Sequence, residues 1–334
     1  MGAGGIGRVG HGDPRSDRPA DAVGRPAGSK HSTVDPGPLK LPLIADVRSS
    51  LSRVPVAVLE KPGRAKIRSI ECVDPCQDGG MSGRSMSFGA VATAYERFRP
   101  GYPAELFDTV MRYARQPIRT ALEIGAGTGK ATRLFAERGV TVTATEPDPD
   151  MLAELRKHVP ANVITVQAAF EDLRLAQTYG LVYAAAALHW TSLEGRWSRI
   201  AALLEPGGVF ASFGGQVHLA DPAVAEAVRA ARAPFLANDN VASPDGTPAG
   251  HHMQWPGTEL QRSEWFTDVQ QSVIERRWTM IARDYVGHLS TVSAYLQLPA
   301  SEQEQIYGRI MQVLPERVEV TADITVHLAH RCCE

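Results

Sequence analysis

The chain has 334 residues, 43% hydrophobic and 22% charged, the composition of an ordinary soluble protein and enough for one large domain or two small ones. A net charge of −2 leaves no electrostatic footprint for nucleic acid or an anionic membrane, and no apolar run reaches the length of a membrane span or a signal peptide. Cys72, Cys76, Cys332 and Cys333 reach neither zinc spacing nor the density of a disulfide framework, so they read as reduced thiols of a cytoplasmic protein.

Residues 1–85 are rich in Gly, Pro, Arg, Asp and Ser, can bury little, and are expected to be a disordered extension. That stretch is either a regulatory tail or sequence upstream of a true start at Met81 or Met86; its composition favours the second. From Met86 the texture changes. YERFRPGYP, residues 95–103, is an aromatic and basic arm broken by two prolines. Pro103 then opens a helix with Leu106, Phe107, Val110 and Met111 on one face.

Residues 119–124 form a short apolar strand that runs into Gly125, Gly127 and Gly129, and a helix follows with Ala131, Leu134 and Phe135 on one face. Such a turn lets bare backbone approach a ligand and aims a helix N-terminus at it. The dinucleotide fingerprint wants its third glycine at the sixth position, but Lys130 stands there and the glycine comes one residue early. Glu123, two residues before the first glycine, suits a ligand with an ammonium group better than a pyrophosphate.

Residues 141–145 are a second strand, ending at Glu146, and Asp148 with Pro149 starts a helix to residue 158. An acid at that distance past a glycine loop can accept both hydroxyls of a ribose. Residues 163–167 and 181–185 are further strands, followed respectively by Phe170-Glu171-Asp172 and Leu188-His189-Trp190. A helix over 193–204 stops at Pro206-Gly207-Gly208, before a fifth strand at 209–213. Strands alternating with helices at this spacing argue an α/β fold, a parallel sheet with helices on both faces. Ligands of such sheets bind outside the carboxyl ends of the strands, which puts His189 and Trp190 beside a reacting centre.

From residue 216 the alternation lapses. A helix over 222–236 precedes a long Gly/Pro/Asn-rich loop, and residues 216–262 read as a lid or insertion. His251-His252 within it has no acid or cysteine at ligand spacing, so no metal is expected. Two late strands, 269–278 and 318–328, flank helices at 284–296 and 301–314.

Glu-x-Gly-x-Gly-x-Gly resembles the first motif of the class I S-adenosylmethionine (SAM)-dependent methyltransferases. With Glu146, the FED turn, LHW and EPGG in order, residues 86–331 resemble the small-molecule type that includes trans-aconitate methyltransferase-like proteins. YERFRPGYP and LSTVSAYLQLP, residues 289–299, resemble its arm and its substrate-side segment. The resemblance implies a Rossmann-like, doubly wound, seven-stranded, mostly parallel sheet whose last pair is antiparallel. It implies SAM as cofactor, S-adenosylhomocysteine (SAH) as product and no metal. The implied cofactor contacts are Glu123, Gly125, Ala126, Gly127, Thr128, Gly129, Glu146, Pro147, Met151, Phe170, Glu171 and Leu188.

Methyl transfer then needs donor and acceptor held in line with water excluded. His189 is the expected base for a high-pKa oxygen, Trp190 its neighbour, and Arg99 the expected anchor for a carboxylate of acceptor or cofactor. Tyr95, Tyr102, Ser290, Ser293 and Tyr295 are candidate hydrogen-bonding groups on the lid side. The expected partner is a small-molecule acceptor, an oxygen nucleophile, met by a monomer or homodimer. The alternatives are a non-catalytic SAM binder and, opposed by Lys130, a nicotinamide oxidoreductase. Two departures from the family pattern are VQAAFED in place of a Gly-Asp pair after the third strand, and the 216–262 segment, which has no counterpart.

Overall fold

The computed structural model describes residues 86–174, 177–236, 243–248 and 250–332, all within one compact unit, Glu71–Glu334. The expected disordered extension, residues 1–85, lies outside the described residues, as do Cys72, Cys76 and Cys333; Cys332 is a free thiol.

A 3-10 turn, Met86–Val91, leads into α1 (Ala92–Phe98) and then α2 (Ala104–Tyr113). The alternating core follows: β1 (Thr120–Ile124), α3 (Lys130–Ala136), β2 (Thr141–Thr145), α4 (Pro149–His158), β3 (Val163–Val166), β4 (Tyr179–Ala185), α5 (Arg196–Leu203) and β5 (Leu204–Gly214). Beyond it come β6 (His218–Leu219), α6 (Pro222–Arg232), α7 (Gly257–Arg262), β7 (Phe266–Ile274), β8 (Arg277–Ile281), α8 (Ala282–Leu289), α9 (Ser293–Leu296), α10 (Ala300–Val313), β9 (Arg317–Thr321) and β10 (Ile324–Arg331).

Seven strands form one sheet in the order β3-β2-β1-β4-β5-β10-β7; β10 runs antiparallel to both its neighbours and the first five strands are parallel. Successive side chains of a strand point to opposite faces. Accordingly Ala121, Leu181 and Tyr183 pack on one face with Leu106 and Val110 of α2 and Phe135 of α3. Leu122 and Val182 pack on the other with Ile200 and Leu203 of α5 and Leu260 of α7. Strands buried on both faces are near-continuously apolar, which is why β4 reads as one apolar run and β1 as a run interrupted by Glu123.

Each of the two expected late strands is in fact two. The run at 269–278 breaks into β7 and β8, and that at 318–328 into β9 and β10. The two runs pair throughout, Ile324 opposite Ile274 in the large sheet and Thr321 opposite Arg277 in a second, three-stranded antiparallel sheet, β6-β9-β8. At the bend the ladder is held by Ala322 N donating to the Arg276 carbonyl (3.0 Å) and by the Asp323 carboxylate accepting from Arg276 N (3.0 Å). The expected helix over 284–296 also breaks, into α8 and α9, where the Thr291 hydroxyl bonds back to the His288 carbonyl (2.7 Å). The small sheet and α6, α8, α9 and α10 enclose their own core around Tyr285, Leu289, Ile306 and Val320. Among the described residues no helix is long and apolar enough to cross a membrane.

Candidate active site

The chain leaves β1 in one direction to β2 and β3 and returns on the other side at β4, so the strand order reverses between β1 and β4. That is where a crevice opens in such sheets. The register sets Ile124 beside Thr145 and Ala184, so the glycine turn, Glu146 and the segment after β4 emerge together. Gly125 (φ 64°) and Gly127 (φ 57°) are left-handed. A Cβ on Gly125 would stand 2.7 Å from that of Ala187, whereas one on Gly127 would meet only the Met151 methyl, at 3.5 Å.

Glu146 is buried, not solvent-facing. One carboxylate oxygen accepts from Gly127 N (2.8 Å) and the other from Asp148 N (3.0 Å). Burial raises its pKa, and the two amides oppose the rise. Asp148 caps α4 through Asp150 N (2.9 Å) and Met151 N (3.1 Å), and also accepts from Gly89 N (3.1 Å), fastening the N-terminal arm here.

A cavity of about 670 Å³ spreads over these strand ends. Ten of the expected site residues line it: Gly125, Gly127, Glu146, Pro147, Met151, Phe170 and Glu171 on the sheet side, and Arg99, His189 and Trp190 opposite. Five do not: Glu123, Ala126, Thr128, Gly129 and Leu188. Glu123 turns beneath the glycine loop, accepting from the hydroxyls of Thr132 and Tyr183. Burial pushes its carboxyl up to about 8, so it is largely protonated near neutrality and unlike the open counter-charge for an ammonium that its position in the sequence implied.

The other wall is made of side chains from distant segments. Phe88 meets Tyr95 and Trp190 edge-on, with ring centroids 6.0 and 6.1 Å apart, and His189 packs on Trp190 at 4.6 Å. Burial, with the charge of Arg196 nearby, lowers His189 to about 4, so it is a neutral imidazole at pH 7 but a weak proton sink. Beneath that turn Arg196, 1% exposed, donates to the Thr191 carbonyl (2.7 Å) and pairs with Glu259 of α7 at 3.5 Å, its guanidinium near the rings of Trp197 and Trp255. Glu171 accepts from Ser192 N (2.6 Å), joining the two loops across the crevice.

Arg99, from the arm, donates to the hydroxyl (2.9 Å) and carbonyl (2.7 Å) of Thr291 and lies over the Tyr95 ring. Among the described residues no carboxylate pairs with it. Tyr95 and Ser293 line the cavity, while Tyr102, Ser290 and Tyr295 do not. Phe88, Tyr285, His288 and residues 215–217 also line the cavity, and no motif in the sequence marks them for it. His288 was visible only as one histidine in an amphipathic helix, with no motif to single it out.

Residues 121–208 match a family model described as a methyltransferase domain. An uncharacterized methyltransferase of Mycobacterium bovis is 40% identical over 124 residues, 37% of this chain and 50% of the relative. Trans-aconitate 2-methyltransferase of Delftia acidovorans is 36% identical over 126 residues, 35% of this chain and 44% of the relative. The chain thus spans about half the length of the curated relatives it matches. A solved structure from Anaeromyxobacter dehalogenans, described as a type II methyltransferase, is 27% identical with a TM-score of 0.51, covering 71% of this chain and all of its own.

Proposed function

We propose that this chain, a class I SAM-dependent methyltransferase by its sheet order, glycine crevice and relatives, transfers the methyl group of SAM to a carboxylate oxygen of a small acceptor. The residues present suit the cofactor. Gly125 and Gly127 leave the strand ends bare, Glu146 offers a carboxylate for ribose hydroxyls, and Met151 and Phe170 offer apolar walls for a base. When bound, SAM supplies a methyl group on a sulfonium, an electrophile that needs no activation. The chain's own work is then to orient the acceptor and keep water out.

Arg99 carries the choice of acceptor. It is a guanidinium on the cavity wall with no acidic partner among the described residues, held rigid by Thr291 on one side and Tyr95 on the other. A planar fork of donors matches a carboxylate. A carboxylate also needs no base, which agrees with the weak basicity of His189; a phenol or alcohol would need a stronger one. His189 and Trp190 then serve as walls that shape the approach. Transfer of tritium from labelled SAM, screened over carboxylic acids, phenols and amines, tests this reading. Carboxylic acids should be methylated, and Arg99→Gln should raise KM for them about tenfold or more. Phenols or amines as the preferred acceptors would overturn the carboxylate assignment. Saturable SAM binding without transfer to any of the three would instead leave a non-catalytic binder.

A further inference from the structure

The acceptor side of the large cavity carries one charge. Glu146, Glu171 and Asp172 line the sheet side; opposite them, among the described residues, Arg99 is the one charged group. His189 and His288, lowered by burial to about 4 and about 3, are neutral at pH 7, and Gln216 and Ser293 are uncharged. Arg99 stands between two apolar surfaces. On one side are rings: Arg99 lies over Tyr95 at 5.1 Å, and Tyr95 and Trp190 both meet Phe88 edge-on. On the other, Thr291, which takes both hydrogen bonds of Arg99, lies in the chain between Leu289 and Val292, and these pack with Val217 in the core of the small sheet. Val217 and Val292 line the cavity and are only half-buried.

We propose that the acceptor is a monocarboxylic acid with an apolar body, its carboxylate on Arg99 and its chain or ring on the surface of Val217, Leu289 and Val292. The assignment deepens the carboxylate reading of this site and rests on it. Apolar side chains left half-bare around a concave space are covered favourably by an apolar group, in proportion to the area removed from water. One guanidinium matches one carboxylate through its planar donors. A second carboxylate laid against the valines and the leucine would give up its water and meet no cation on that surface, which is costly. The rings of Phe88, Tyr95 and Trp190, already in contact with one another, close the opposite side of the space.

Tritium transfer from labelled SAM by the full chain, measured with butyrate, hexanoate, octanoate and the diacid adipate, tests the body of the acceptor rather than its head. From butyrate to octanoate kcat/KM should rise about two- to fourfold for each added methylene. Hexanoate should exceed adipate, its match in chain length, by at least about tenfold. Val217→Thr and Val292→Thr keep the branched shape and put a hydroxyl on the wall. Each should lower kcat/KM for octanoate about three- to tenfold, with an unchanged Kd of SAH showing that the fold is intact. A flat series, or adipate equal to hexanoate, would overturn the proposal, as would a chain-length slope that survives both substitutions. Those results leave the carboxylate reading standing, because acids are still methylated. Transfer to phenols or amines with none to any acid is the separate failure: it removes that reading and this inference with it.

Discussion

The two walls of the large cavity are made of different material. The sheet-side wall is mostly backbone and neighbours in register: a glycine turn, a strand-end carboxylate bonded to two amides, and a capped helix. The opposite wall is assembled from side chains that sequence keeps far apart: Phe88, Arg99, His189 and Trp190, and residues of α8 and α9. The first kind of wall depends on backbone geometry and strand register. The second can be changed one residue at a time without touching the first.

The largest expected effect lies beneath the side-chain wall. Arg196→Ala removes a fully buried side chain, leaves the Thr191 carbonyl without its donor and takes the ion-pair partner from Glu259, which keeps only the Trp197 indole N–H. It should cost about 3–5 kcal/mol in urea unfolding, and a loss under about 1 kcal/mol would show that the buried pair is slack.

Next comes the backbone wall. Gly125→Ala combines left-handed strain with a Cβ at 2.7 Å from Ala187, and Gly127→Ala brings strain alone. The first should lose about 2–4 kcal/mol and the second about 1–2. Equal losses would contradict the close approach at Gly125.

Glu146→Gln keeps an acceptor for one amide, gives up the charge, and leaves the opposite wall alone. SAH affinity should fall about 10- to 100-fold, with Tm nearly unchanged. A fall in Tm without a fall in affinity would make Glu146 a structural residue only.

Buried titratable groups around the two walls set how stability responds to pH. His189 and His327 are lowered to about 4 and His288 to about 3 by burial, while Glu123 is raised to about 8. A histidine whose folded pKa is depressed contributes stability that is full above its ordinary value and is lost as pH falls towards the folded one. A carboxyl whose folded pKa is raised contributes stability that is full below its ordinary value and is lost as pH rises through the folded one. Stability should therefore peak near pH ~6.5 and decline above it by up to about 1.4 kcal/mol per pH unit, until about pH 8. Glu123→Gln should flatten the alkaline side and, since its contribution already declines from the ordinary carboxyl value upward, steepen the acid side; an unchanged alkaline decline would exclude Glu123 as its source.

Legibility in the sequence follows the same division. β1, the glycine turn, Glu146 and the Asp148 cap were readable because each is a local pattern with a local physical cause. Glu123 lies at the expected strand end but beneath the glycine loop and off the cavity lining, since strand position does not tell which side of the turn a side chain takes. The late strands were found but not their breaks: Glu275-Arg276 and Ala322-Asp323 carry no glycine or proline, and the bend exists only because the two runs pair with each other in two sheets. Arg99 was found because it sits in an aromatic arm. Phe88, His288 and the apolar wall beside Arg99 depend on contacts across long stretches of chain, which no periodicity records.

Titration of the chain with SAH is the most direct test that the glycine crevice is a cofactor site. One site per chain is predicted, weakened by Glu146→Gln and left intact by Val292→Thr. Absence of saturable binding, or binding indifferent to Glu146, would contradict the assignment of the glycine crevice to the cofactor.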